Sequence, residues 1–339
     1  MGAWKELLIF CKSNDLDPAA RSSHEAFKRG WAFPRIDDDR DLTMEEIAEL
    51  TGGKLGETTT ACPYCGSGKP HSHRLRIERY SPNFATWECF YCSRSGSVET
   101  DDVDPVREAE LRDRAAALRA EQEAESTERA LKLWEEAKPL PPIALTYFHA
   151  RCIFDLPPRI DDVLRWHPYA PFGKDGRMGS MMLALFRTVA SDEPVAVHRT
   201  WILDAERGIA DRTVIGPFIA RRSAIKLWPL DDTGRLVIAE GIETTLAAAG
   251  SRRLEEQVGE SLKPAWAFTV ARNLRLCPAI RKVRRLVILS DNDTTGTGQD
   301  AALAVQFRWE ARGRSVRRFT PSKADTDFND VVREMHDGR

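Results

Sequence analysis

Two stretches in the second half of the chain share one plan: an apolar, partly β-branched run that ends at an acidic turn and passes directly into a helical pattern. In RLVIAEGIETTLAA, Glu240 stands just past the run and Gly241 forms the tight turn; in RLVILSDNDTTGTGQDAA, Asp291 and Asp293 hold the equivalent place. The plan repeats from Gly234 onward, with AWAFTV and SVRRFT as further strands. Helices are expected near Glu243 to Ala249, near Gly298 to Arg312 and near Val331. Buried strands alternating with helices predict an α/β unit built on a mostly parallel sheet covered on both faces.

In such a sheet, groups at the carboxyl ends of neighbouring strands meet in one crevice. Glu240, Asp291 and Asp293 are therefore expected to converge. Three carboxylates so placed repel one another unless hard divalent cations lie between them, an arrangement suited to binding Mg2+ or Mn2+ and orienting phosphates. After the strand SVRRF comes a further cluster containing Asp325 and Asp327, placed to complete a second metal position. The structural alternative for each acid is a helix cap. Asp330, just before VVREM, is the best-placed candidate for that role.

Cysteine spacing constrains the first half. Four of the seven cysteines form two C-x-x-C pairs, Cys62 with Cys65 and Cys89 with Cys92, separated by 23 residues. Two such turns direct four thiolates at one tetrahedral ion, which makes a structural Zn2+ the expectation and closes the site to catalysis. The intervening LRIERY and NFATWE predict a hairpin that returns the second pair beside the first. His71 and His73 are alternative ligands. Arg74, Arg76, Arg79 and Arg94, interleaved with Tyr80, Phe84, Trp87, Phe90 and Tyr91, would suit a single-strand nucleic-acid platform; a solvated hairpin with core aromatics is the alternative. Cys11, Cys152 and Cys277 stand in no nucleophile motif and read as small buried apolar residues.

These signals divide the 339 residues into an N-terminal helical segment (1–60), a zinc ribbon (61–100), a charged helical linker (101–140), an α+β lobe (141–232) and the acidic α/β domain (233–339). The first segment ends in LTMEEIAELTGG, with Thr43 as N-cap and Glu46 three residues on. Net charge is −2, so any nucleic-acid contact must come from local patches such as the ARR at 220–222 or the RKVRR at 281–285. No eighteen-residue apolar run and no leader pattern stands in the sequence, so a cytoplasmic chain without membrane contact is expected. No phosphate-loop motif is present, so any unwinding would come from a helicase in trans.

The acidic turns resemble those of a Toprim domain, the catalytic fold shared by bacterial-type primases, topoisomerases and OLD-type nucleases. CPYC with CFYCSRSGS resembles the primase zinc ribbon, AVHRTWIL and AIKLWP resemble the lobe before Toprim in phage and plasmid primase-like proteins, and DTDFNDVV resembles their closing motif. The resemblance spans roughly residues 60 to 335. It implies a Toprim-type sheet flanked by helices, preceded by a small α+β lobe and an N-terminal zinc ribbon. It also implies a DNA primase that joins nucleoside triphosphates on single-stranded DNA with Mg2+ or Mn2+, partnered by a replicative helicase. By that resemblance Glu240, Asp291 and Asp293 are catalytic carboxylates that also bind the Mg2+ or Mn2+, Asp325 and Asp327 are a second acidic pair of metal ligands, and Arg199 and Lys226 face template or nucleotide phosphates. Replicative primases carry an Asp where this chain has Thr244, and Glu243 beside it is the candidate substitute. The rival expectations are a Toprim nuclease and a non-catalytic single-strand-binding protein.

Overall fold

The computed structural model describes residues 41–60, 62–64, 75–89, 94–100, 105–172, 177–294 and 296–338. The chain divides into two compact units, residues 1–120 and 121–339.

In the first unit, helix α1 (Met44–Thr51) begins with the expected capping box: the Glu46 amide donates to Thr43 Oγ1 and the Thr43 amide donates to Glu46 Oε2. Strands β1 (Gly56–Thr60), β2 (Leu75–Ser81), β3 (Phe84–Cys89) and β4 (Ser95–Glu99) form an antiparallel sheet in chain order. The expected hairpin is β2–β3, with Leu75 opposite Cys89. Cys62 and Cys89 are both buried in the one core cluster formed by Leu42, Ile47, Leu75, Ile77 and Trp87. Cys65, Cys92, His71, His73, Arg74, Phe90 and Tyr91 lie outside the described residues.

Helix α2 (Pro105–Glu136) crosses the division between the units. Its final turns bury Ala130 and Trp134 against the second unit's sheet. There follow α3 (Pro142–Ala150), β5 (Leu164–Phe172), β6 (Arg177–Thr188), β7 (Pro194–Asp204), β8 (Ile209–Ile215) and β9 (Ser223–Ile225). The strand–helix alternation then runs β10 (Arg235–Ala239), α4 (Ile242–Gly250), α5 (Arg252–Val258), β11 (Ala265–Ala267), α6 (Ala271–Arg275), β12 (Arg285–Leu289), α7 (Thr297–Glu310), β13 (Ser315–Phe319) and α8 (Phe328–His336).

Strands β13, β12, β10 and β11 lie side by side and parallel, as the alternation requires. Period-two burial shows how both faces are covered. Val237, Ala239, Val287 and Leu289 face a core shared with α4 and α8, and Leu236, Ile238, Leu286 and Ile288 face one shared with α6 and α7. The preceding lobe does not form a sheet of its own. β9 pairs antiparallel with both β11 and β6, so β5 to β9 extend the parallel strands into one nine-stranded sheet. Residues 141–232 and 233–339 thus share a sheet and a core.

Candidate metal and phosphoryl-transfer site

The parallel pairing of β10 with β12 places Ala239 beside Leu289, which brings the turns that follow them to one edge of the sheet. Glu240 is mostly buried there, and its carboxyl accepts a hydrogen bond from the Ala271 amide at the start of α6. Burial, reinforced by the charges of Asp291 and Asp293, raises its pKa to about 8. Asp291 is raised to about 7 by burial and by Asp327, Asp293 and Asp330. Its Oδ1 is buried with no hydrogen-bond partner. Protein interiors rarely leave such an atom unmatched, since an unmade bond costs about 1–3 kcal/mol. An acceptor-only oxygen among carboxylates fits a hard divalent cation.

The other expected ligands are engaged by the fold. Asp293 accepts the Thr297 amide at 3.2 Å on Oδ1 and the Gly298 amide at 3.1 Å on Oδ2, bracing the first turn of α7. That turn is entered through Gly296 at φ 71, a left-handed conformation that glycine adopts without strain. Asp325 Oδ1 accepts the Thr294 amide at 3.0 Å. Asp327, rather than Asp330, is the N-cap of α8. The helix starts at Phe328, so Asp330 falls at the third helical position, and the two side chains reciprocally accept each other's backbone amides. Among the described residues no three His, Cys, Asp or Glu side chains already converge at metal-ligand spacing. The carboxylates are neighbours by charge, and Asp291 alone among them offers a buried unbonded oxygen.

Thr244 belongs to this edge too. Its hydroxyl donates to Asp327 Oδ2 at 2.9 Å, tying the first turn of α4 to the cap of α8. Gly241 occupies ordinary extended backbone as the N-cap of α4; what its missing side chain provides is room, since a Cβ would lie 3.0 Å from Thr244 Oγ1. Glu243 does not substitute at the site. It is buried against the preceding lobe, where Oε1 accepts from Tyr147 Oη at 2.6 Å and Arg212 Nη2 at 2.7 Å. Although burial opposes its charge, Arg212, Tyr147 and Arg151 hold its pKa down at about 2.

From α3, a second connection reaches the other acidic helix: Arg151 Nη1 donates to Asn329 Oδ1 at 3.0 Å, and Asn329 Nδ2 donates to the Arg151 carbonyl at 2.6 Å. Elements of the preceding lobe, α3 and β8, therefore clamp the two helices whose first turns carry the acidic residues. Sequence reasoning missed Tyr147, Arg151, Arg212 and Asn329. A charged residue among the apolar positions of ETTLAAAG was the available signal.

The basic positions expected at phosphates are both inside the fold. Arg199 on β7 is buried, donates to the Pro171 carbonyl, and keeps Nε without a partner. Lys226 pairs with Asp192 at 2.7 Å and lies 4.7 Å from the Trp266 ring centroid. In the first unit, Phe84 and Trp87 are buried rather than forming an open platform: Trp87 packs with Ala85 and Cys89 on one face of β3, and Phe84, on the other, stacks on Tyr80 at 5.4 Å. Arg94 stacks over Tyr64 at 4.9 Å.

Residues 235–337 match the family model of the Toprim domain, and residues 124–220 match that of a Domain of unknown function (DUF7146). No curated protein and no solved structure matches the chain. The chain is a Toprim-containing protein. Toprim domains are found in primases, nucleases and topoisomerases, and they bind Mg2+ or Mn2+. The Toprim match takes in Glu240, Asp291, Asp293, Asp325 and Asp327, and the clamp joins it to the segment of unknown function. Among the described residues, no helix is long and apolar enough to cross a membrane.

The clamp generates a prediction. Arg212→Met strands the Glu243 charge and should lower unfolding free energy by about 3 kcal/mol, the low end for a broken buried pair because the guanidinium is itself over a third exposed. Adding Glu243→Gln should recover part of the loss. Urea denaturation measures both, and a single variant as stable as the wild type would refute the clamp.

Proposed function

We propose that the chain is a primase-type nucleotidyltransferase, joining nucleoside triphosphates into a short RNA primer on single-stranded DNA. The observation that carries the reading is Asp291, with its unpartnered buried oxygen, beside Glu240 and Asp293 at the carboxyl ends of parallel strands. Asp291, with Asp293, would hold Mg2+ or Mn2+. When bound, the ion neutralises charge on the phosphates during transfer.

Glu240 stands near Asp291 and Asp293 with a basicity suited to accepting the proton of an attacking hydroxyl. As that proton passes to the Glu240 carboxylate, the hydroxyl oxygen bonds to the α-phosphorus and pyrophosphate departs. Asp325 and Asp327 contribute by fixing the loop and the helix around this edge, and a second-ion role would require them to ligate through their remaining lone pairs. Arg199, a buried cation without a carboxylate partner among the described residues, supports a phosphate contact more strongly than Lys226, which is committed to Asp192.

The primase direction is favoured by what precedes the Toprim segment: a lobe continuous with its sheet, and cysteine pairs of primase-ribbon type. Cys62 and Cys89 buried in one cluster support a shared structural Zn2+. A helicase acting in trans would supply the single-stranded template.

Purified protein incubated with single-stranded DNA, labelled nucleotides and Mg2+ or Mn2+ should yield primers. Asp291→Asn should reduce yield by about a hundredfold or more while DNA affinity stays level or rises, because a local negative charge is gone. Cleavage products instead of primers would establish a nuclease and overturn the proposal.

The ribbon has its own test. The purified chain should carry about one Zn2+, and Cys89→Ser should lose it and weaken single-strand binding. Elemental analysis finding no zinc in protein that binds template fully would exclude the ribbon.

A further inference from the structure

Away from the carboxylates, on the face of the sheet covered by α6 and α7, four arginines from three separate segments come together. Asn273 of α6 donates to the Ser223 carbonyl at 2.8 Å, which fixes the neighbouring Arg222 beside that helix. Arg275 ends α6. Arg308 of α7 donates through Nη1 to the carbonyls of Arg275 at 2.6 Å and Cys277 at 3.1 Å, and Arg312 Nη1 donates to the Arg308 carbonyl at 3.1 Å. Burial lowers the Arg308 pKa, and Arg275, Arg312 and Arg222 act in the same direction against the opposing influence of Cys277.

None of the four makes an ion pair with a carboxylate among the described residues. This sets them apart from nearby arginines: Arg221 pairs with Glu123, and Arg285 and Arg317 share Glu260. Arg308 and Arg312 have structural work, satisfying carbonyls at helix ends. Arg222 and Arg275 make no side-chain hydrogen bond to the fold among the described residues, and Arg222 is exposed. Like charges held together without counter-ions cost free energy, so the fold retains an arrangement that an external polyanion would relieve.

We propose that Arg222, Arg275, Arg308 and Arg312 form a track for the sugar–phosphate backbone of a nucleic-acid strand leading to or from the acidic edge. The inference rests on the function proposed above and adds the path of its strand. Helix α6 provides the connection: the amide of Ala271 at its start bonds the Glu240 carboxyl, and Arg275 lies four residues on, about 6 Å along the axis. A strand with its reacting end at the carboxylates would meet the guanidiniums within a few nucleotides. Guanidinium forks match phosphate oxygens in geometry, and their spread over a loop and two helices suits a repeating anion better than a single one. Such contacts are independent of base identity.

The test is the full chain carrying Arg222→Gln and Arg275→Gln, two changes that remove no side-chain hydrogen bond or ion pair among the described residues. Single-stranded oligonucleotide binding is measured by fluorescence anisotropy across a salt series. Affinity should fall about tenfold, and the slope of log K against log salt should fall by about 1.4, two phosphate contacts at about 0.7 each. A charge-matched Arg159→Gln/Arg252→Gln control should keep the wild-type slope, and Mn2+ affinity should be unchanged in both. Wild-type affinity and slope in the arginine variant would overturn the track, as would lost binding to anionic lipid vesicles with oligonucleotide binding intact. A wild-type chain that binds no single strand would remove the proposed function itself, and the track with it.

Discussion

Glu240 and Asp291 are like-charged groups forced together in partial burial because the strands that carry them are parallel neighbours. Parallel pairing in register makes Ala239 and Leu289 end at the same level, and the chain must turn there into α4 and toward α7. Neither carboxylate can retreat into solvent without breaking a strand whose residues are packed on both faces. The repulsion is thus a property of the sheet, and much of the surrounding structure bears on it. Backbone amides brace Asp293, a reciprocal cap holds Asp327, and the Thr244 hydroxyl ties α4 to α8.

That bracing extends beyond the Toprim segment. Glu243 stands one residue from Thr244, fully buried, and its charge is matched by Arg212 and Tyr147 from the preceding lobe. Arg151, the C-cap of the helix that carries Tyr147, holds Asn329, two residues past the cap at Asp327. The segment matching a domain of unknown function therefore has a physical role in this chain: it fixes the orientation of the helices that begin at the acidic edge. The shared sheet serves the same end, since β9 joins the two segments through backbone bonds to β6 and β11.

The parallel strands and their helices were legible in the sequence because both faces of the sheet are buried, so RLVIA and RLVIL read as unbroken apolar runs. That the turns carrying Glu240 and Asp291 reach one edge of the sheet followed from that topology alone; the spacing of their carboxylates did not. What the sequence hid were interactions between distant segments. Nothing local distinguishes Asp327 from Asp330 as a cap until the helix start is fixed at Phe328, and nothing near Glu243 announces an arginine 31 positions earlier. The lobe read as a separate body because strand alternation reports burial, whereas the pairing of β9 with β11 depends on only a few residues. Lys226 and Arg199, assigned by resemblance, show the same limit: the residue type was visible, but its commitment to Asp192 or to the Pro171 carbonyl was not.

The central claim is that the ionised form of this carboxylate group is incomplete without a divalent cation. Both raised groups hold their protons more tightly folded than unfolded. Without metal, the stability they contribute is therefore greatest below about pH 4 and declines as pH rises toward 8, where Glu240 ionises. A cation that binds the ionised form must reverse that trend. The decisive measurement is the rise in Tm produced by saturating Mn2+ near pH 6 and near pH 8, for the wild type and for Asp291→Asn. The account predicts a small rise at the lower pH, a rise of several degrees at the higher one, and little at either in the variant. An equal rise at both pH values, or one that survives Asp291→Asn, would contradict it.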